Sequence, residues 1–243
     1  MKQLIALCFL VLSLTSLSAK EVVKEVDVCV YGGTASGVIA AYSARQMGKT
    51  VILIEPTKYL GGMTTGGLGA TDIGNKYAIT GLARQFYRNV GALSGKFEQW
   101  TFSPSVAMQE IMRYVNKAKL DVVYERRITS AKMINKRIES IVLEECNPSG
   151  KSESMTVKAK QFIDCTYEGD LMAKSGASYF VGRESAEDYE ETLNGVQMSV
   201  WHQFPDGVDP YKVEGDPSSG YCWGINNNTL KPKRSGDKLV QAY

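Results

Sequence analysis

Residues 26–55 constrain the fold more tightly than any other stretch. They run as an apolar strand, a glycine turn, a helix with a small-residue face and a second apolar strand closing on a carboxylate. From Asp27 the order is Asp-Val-Cys-Val-Tyr-Gly-Gly-Thr-Ala-Ser-Gly, and the second strand, Thr50–Glu55, ends Val-Ile-Leu-Ile-Glu. Strands that are apolar without alternation belong to a parallel sheet covered on both faces. Gly32 allows a sharp turn off the first strand, and Gly37 allows the helix to press on the sheet. The opening N–H groups of that helix, around Ser36, have no acceptor within it, and the helix dipole adds positive potential there. Such an end favours a diphosphate, and Glu55 stands where a carboxylate can accept the hydroxyls of an adenosine ribose. The unit predicts a Rossmann-type dinucleotide site.

The turn Gly32-Gly33-Thr34 departs from G-x-G-x-x-G at its middle glycine. At Thr34 a side chain crowds the closest backbone approach to a pyrophosphate. Two readings stand: a decayed motif whose glycines serve packing, or a hydroxyl that donates to a phosphate.

The 243-residue chain carries 28 basic and 26 acidic residues without a basic block, so nothing suggests nucleic acid or anionic lipid as a partner. It opens with Lys2, an apolar run from Leu4 to Leu14 and small residues ending at Ala19. That is the layout of a cleaved export signal over residues 1–19. The run falls short of the roughly twenty residues that span a bilayer. An exported protein, periplasmic or secreted and without a transmembrane span, is expected. Cys29 and Cys165 lie in apolar strand runs and read as buried thiols. Cys146 and Cys222 can pair in an oxidising compartment, though their spacing gives no support. No C-x-x-C is present, so neither a metal site nor an iron–sulfur cluster is indicated.

Periodicity predicts strands at Val26–Tyr31 and Thr50–Glu55 around a helix at Ser36–Met47, whose small face comprises Gly37, Ala40, Ala41, Ala44 and Met47. A long glycine-rich loop starts at Pro56. Helices follow at Ile79–Val90 and from Pro104, behind a Ser103 cap, to about Lys117. The period then changes. Asp121–Tyr124, Ile128–Ile134, Arg137–Glu144 and Met155–Ala159 read as a β-meander with a turn at Asn135-Lys136. Another strand, Lys160–Asp164, leads to a short helix near Gly169–Ser175, and Val196–Phe204 reads as a further strand.

Two more motifs narrow the ligand. Leu60-Gly61-Gly62-Met63, followed by Thr64-Thr65-Gly66-Gly67-Leu68-Gly69, offers backbone with little bulk close to a flat ligand. A nicotinamide enzyme has no need of it. Phe162–Asp170 is a second strand-to-helix edge, with Asp164 and Thr166 at the strand end and Gly169-Asp170 opening the helix. Taken together, Val30–Gly69 and Asp164–Asp170 resemble the FAD-dependent oxidoreductase family related to the flavin-binding part of heterodisulfide reductase, which has many exported members.

The resemblance covers about residues 26–185. It implies an α/β fold: a glutathione-reductase-like FAD-binding Rossmann domain with a parallel sheet and a β-meander insert, then a substrate domain that begins at 186–243 and is incomplete in this chain. By position it implies Gly32, Gly33, Thr34, Ser36 and Gly37 at the pyrophosphate and Glu55 at the ribose. Gly61, Gly62 and Met63 then lie nearer the isoalloxazine, and Thr166, Gly169 and Asp170 form the second FAD-contacting turn. Thr34 departs from the pattern. So does the missing cysteine-rich segment of the heterodisulfide reductase branch, which removes support for an iron–sulfur role.

The expected activity is transfer of a hydride or two electrons from a small organic substrate to FAD, with no catalytic residue assigned. His202, the only histidine, is the one acid–base candidate, and a core position is its alternative. Arg183 either reaches an anionic group or pairs with Glu184. The rival readings are an NAD(P)-dependent dehydrogenase and a non-catalytic dinucleotide-binding protein. Oligomeric state is not encoded in any of these patterns.

Overall fold

The computed structural model describes residues 22–147, 153–182, 184–191, 194–195 and 209–222. The expected export signal at 1–19, Arg183, His202 and the expected strand at Val196–Phe204 lie outside the described residues. Two compact units divide the chain, Met1–Ala177 and Ser178–Tyr243.

The first unit runs β1 (Val22–Tyr31), α1 (Ala35–Gln46), β2 (Val51–Glu55), α2 (Met63–Gly66), α3 (Gly81–Leu93), α4 (Pro104–Ala118), β3 (Asp121–Tyr124), β4 (Arg126–Ile134), β5 (Arg137–Glu145), β6 (Met155–Asp164) and α5 (Asp170–Lys174). The strands form one six-stranded sheet in the order β3-β2-β1-β6-β5-β4. The pairs β2–β3, β1–β2 and β1–β6 are parallel, and β5 pairs antiparallel with both β6 and β4. This is the α/β fold expected: β3-β2-β1-β6 form the parallel part from one edge, and β5 and β4 extend it antiparallel to the other.

Alternate residues of the central strands feed two cores. Val28, Val30, Val51 and Leu53 pack with Val38 and Ala41 of α1, Phe86 and Val90 of α3, and Ile111 and Val115 of α4. Cys29, Tyr31, Ile52 and Ile54 face the opposite way, among Ile128, Ile141, Leu143, Val157 and Leu171. Each central strand is therefore buried on both faces, which explains its unbroken apolar run. Carboxylates pin the strand ends: Asp27 accepts from the Thr50 N–H and hydroxyl and from Lys160.

Several expectations change in detail. Asp121–Tyr124 belongs to the parallel edge beside β2, not to the meander. Met155–Ala159 and Lys160–Asp164 are one continuous strand along β1. Only the first part, Met155–Lys158, also pairs with β5, so burial falls off beyond it and the pattern changes midway. Met47 lies outside the buried face of α1 and is 76% exposed. Ser103 precedes α4 without a side-chain capping bond. The Asn135-Lys136 turn is present, with both residues left-handed, as a two-residue hairpin requires.

In the second unit, Tyr211 and Tyr221 form an antiparallel bridge and stack with ring centroids 5.4 Å apart, around a helical turn at Pro217–Ser219.

One buried hydrogen bond ties an interior strand of the sheet to its antiparallel edge. The Tyr31 hydroxyl, at the end of β1, accepts the Ile128 N–H of β4 at 3.0 Å. Tyr31→Phe leaves that buried donor without a partner, and such a loss costs about 1–3 kcal/mol. Urea unfolding is expected to show a drop of that size with an unchanged slope; equal stability would mean that the bond contributes nothing to the fold.

Candidate cofactor site

The ends of β1, β2 and β6 converge, and the chain leaves β1 and β6 toward opposite faces of the sheet. After β1 it enters α1, in the core with Val38 and Ala41; after β6 it enters α5, in the core with Leu171. A crevice at such a switch point is where open α/β sheets bind ligands.

At the first exit Gly32 has φ +99° and donates its N–H to the Ile54 carbonyl at 2.9 Å. A Cβ on Gly37 would lie 1.9 Å from the Gly32 carbonyl oxygen, so α1 touches the turn through bare backbone. Gly33 is equally enclosed: a Cβ there would meet the Leu60 side chain at 2.4 Å and the Glu55 carboxylate at 2.8 Å. Its N–H donates to Glu55 Oε2 at 2.6 Å, and its carbonyl accepts the Gly61 N–H at 2.7 Å. Glu55 is 6% exposed, and its other oxygen accepts the Thr57 N–H at 2.7 Å. The ribose-type carboxylate is thus first a strut for the glycine turn. A carboxylate oxygen has two lone pairs, so acceptor capacity remains on both.

Thr34 is 7% exposed and turned into the protein, so its side chain does not stand over the helix mouth. Its hydroxyl donates to the Cys165 carbonyl at 2.8 Å, accepts the Gly37 N–H at 3.3 Å and lies 2.9 Å from the Ser36 hydroxyl. The proton expected for a phosphate is therefore committed elsewhere. The Val38 N–H goes to the Thr34 carbonyl. The Ala35 N–H faces the Gly61 carbonyl in the bridge between Thr34 and Gly61. Among the described residues, that leaves the first-turn N–H of Ser36 without a protein acceptor, and Ser36 is exposed. A free donor at the start of a twelve-residue helix suits a diphosphate.

At the second exit, Asp164 Oδ1 accepts both the N–H and the hydroxyl of Thr166, and Oδ2 accepts the Met172 N–H. The Thr166 hydroxyl in turn accepts the N–H groups of Gly169 and Asp170. Thr166 and left-handed Gly169 thus build the turn, while Asp170 is exposed at the start of α5. Gly61 and Gly62 have φ +93° and +53°, and Gly61 pairs as a one-rung bridge with Thr34. Met63 is half exposed at the start of α2.

Eleven of the twelve candidate cofactor residues therefore lie on or beside three neighbouring turns, and Glu55 closes β2 against the first of them. Sequence patterns do not announce three further members: Leu60, the floor under Gly33; the Cys165 carbonyl, partner of Thr34; and Tyr167, whose hydroxyl accepts the Met63 N–H at 2.9 Å. None has a local signature, because each acts across the gap between turns. Burial pushes the Cys29 thiol up to about 12 and raises that of Cys165, so both are neutral and poorly nucleophilic near pH 7. All four described cysteines are free thiols. A hollow of about 310 Å³ between α1, α3 and α4 contains none of the candidate residues, and its Arg113 and Asn89 both donate to Glu110. Among the described residues no His, Cys, Asp and Glu cluster is placed to hold a metal ion, and no helix is long and apolar enough to cross a membrane.

The model of the FAD dependent oxidoreductase family matches residues 27–240. The chain belongs to this family. FAD is therefore its cofactor, and the free Ser36 N–H and the glycine turn fit the diphosphate half of that group.

Solved structures of similar fold include Thermovibrio ammonificans THI4 (18% identity, 76% of this chain and 75% of that one, TM-score 0.45). A flavoprotein/dehydrogenase from Cytophaga hutchinsonii is 18% identical over 63% of this chain and 42% of that one, with TM-score 0.42. The 3-ketosteroid-delta4-(5alpha)-dehydrogenase from Rhodococcus jostii RHA1 is 14% identical over 62% of this chain, with TM-score 0.41. The chain spans 47% of the steroid dehydrogenase's length. No curated protein matches the chain.

Gly37→Ala forces a methyl against the Gly32 carbonyl. It is expected to destabilise the protein by about 1–3 kcal/mol, the range for overpacking, and to weaken FAD uptake. Gly74→Ala, where a Cβ meets open space, is the control and should stay within about 0.5 kcal/mol. Urea denaturation and quenching of flavin fluorescence measure the two effects; equal behaviour of both variants would show that the close approach is dispensable.

Proposed function

We propose that this protein oxidises a small organic substrate by passing a hydride, or two electrons, to FAD. The observation that carries the reading is the free N–H of Ser36 in the first turn of α1, left open because Thr34 turns inward. This donor, at the positive end of the helix, receives the pyrophosphate. Gly32, Gly33, Thr34 and Gly37 shape the turn beneath it, and Glu55 offers its remaining lone pairs to the ribose. Gly61, Gly62 and Met63 border the flavin side, with Thr166, Gly169 and Asp170 on the facing turn. Bound FAD supplies the electron-accepting centre, while these contacts hold and orient it. The nicotinamide alternative leaves the Gly61–Gly69 loop without a purpose.

Residues 26–185 form the cofactor domain in this reading, and 186–243 open the substrate-binding part. Kinship with the flavin-binding part of heterodisulfide reductase is supported by the Leu60–Gly69 loop and the Phe162–Asp170 edge. Export is supported by Lys2, the Leu4–Leu14 run and the small residues before Ala19.

Two experiments test these points. The purified protein is expected to be yellow, with a flavin spectrum that dithionite bleaches and that, after reoxidation, substrate alone bleaches again. A colourless preparation that takes up NAD but not FAD overturns the reading. Intact-mass analysis of exported protein should give a chain beginning at Lys20; retention of Met1–Ala19 overturns the cleaved signal.

A further inference from the structure

Tyr167 lies in the turn after β6, between Thr166 and Gly169, and its side chain reaches across to the Gly61–Met63 loop. Its hydroxyl accepts the Met63 N–H at 2.9 Å, across more than a hundred residues of chain. It also occupies the place of a side chain on Gly62: a Cβ there would lie 2.3 Å from Tyr167 Oη, but 3.0 Å and 3.2 Å from the nearest ring carbons. The bare backbone at Gly62 is therefore matched to this hydroxyl specifically. Thr65 fixes the other side of the same loop, its hydroxyl donating to the Leu60 carbonyl. Gly61 is held by Gly33, so the loop is anchored at its start by the pyrophosphate turn and at its end by Tyr167. The phenol is 56% exposed, which makes it a strut at the rim of the crevice and not part of the core.

We propose that Tyr167 is a positioning residue for the flavin: it holds Gly62-Met63 in the conformation that accepts the cofactor. The proposal rests on the FAD reading above. Without the hydroxyl the loop samples other conformations, and apparent affinity falls by the fraction of time the competent one is lost. A single hydrogen bond of this kind corresponds to about a two- to tenfold change.

The test uses the full chain stripped of flavin. Tyr167→Phe is expected to speed amide hydrogen exchange at Met63, to weaken FAD binding about two- to tenfold, and to leave the melting temperature of the flavin-free protein unchanged. A merely structural residue would shift melting and spare the affinity. Gly62→Ala is expected to weaken FAD binding further, through the clash and the positive φ. Adding Tyr167→Phe to it should recover part of that loss, because the ring carbons are farther than the hydroxyl. Unchanged Met63 exchange and FAD affinity in Tyr167→Phe, or strictly additive losses in the double variant, overturn the proposal. Wild-type protein that takes up no FAD overturns the reading beneath it as well, whereas wild-type binding with an indifferent Tyr167 overturns the proposal alone.

Discussion

The contact between the Gly32 carbonyl and the Cα of Gly37 fixes the geometry on which the remainder depends. With 1.9 Å between that oxygen and the position of a Cβ, no other residue at 37 permits the same approach. Because α1 starts this close to the strand it follows, its first turn lies directly over the end of β1. The apolar face of Val38 and Ala41 then falls on Val28, Val30 and Leu53, so helix packing and site formation are one event. Moving the helix outward would loosen the core and displace the free Ser36 N–H together.

Carboxylates at the strand ends carry the next level of organisation. Glu55 closes β2 and spends one bond on each of Gly33 and Thr57; Asp164 closes β6 and spends its bonds on Thr166 and Met172. In both cases a charge accepts backbone N–H groups that a tight turn cannot satisfy internally, which is the condition for burying a carboxylate at tolerable cost. The same arrangement leaves acceptor capacity on each carboxylate, because an oxygen that takes one bond keeps a second lone pair. A structural role therefore does not exclude a ligand role on the same side chain.

What sequence made legible follows from how far each signal reaches. Apolar runs, glycine turns and small-residue helix faces are local, so β1, α1, β2, α4 and both exits from the sheet could be placed from residues alone. Pairing is not local. The valines and tyrosine of Asp121–Tyr124 mark a strand but say nothing of its neighbour, and that strand lies beside β2 instead of in the meander. β6 looks like two strands because its first half has β5 and β1 as neighbours and its second half only β1. For the site, the motif positions were readable and the links among them were not. Leu60, Cys165 and Tyr167 act through contacts with residues tens of positions away, and Cys165 does so with its carbonyl, which no side-chain pattern can announce.

Thr34 shows how those links change the meaning of a motif. Judged as a departure from glycine, it is a defect that fills the space a pyrophosphate needs. Turned inward, it caps Gly37 and bonds the Cys165 carbonyl, joining the β1–α1 turn to the β6–α5 turn. Gly33 joins the first turn to the Gly61 loop, and Tyr167 joins that loop back to the turn after β6. Three turns held pairwise in this way form a closed ring of hydrogen bonds around the crevice. A glycine at 34 would open that ring at the Cys165 carbonyl, so threonine here exchanges an unobstructed turn for a braced one. Preorganisation of this kind lowers the ordering cost of binding a long, flexible dinucleotide. The substitution is thus consistent with cofactor binding, because the side chain spends its volume and its hydroxyl on the scaffold and leaves the Ser36 N–H free.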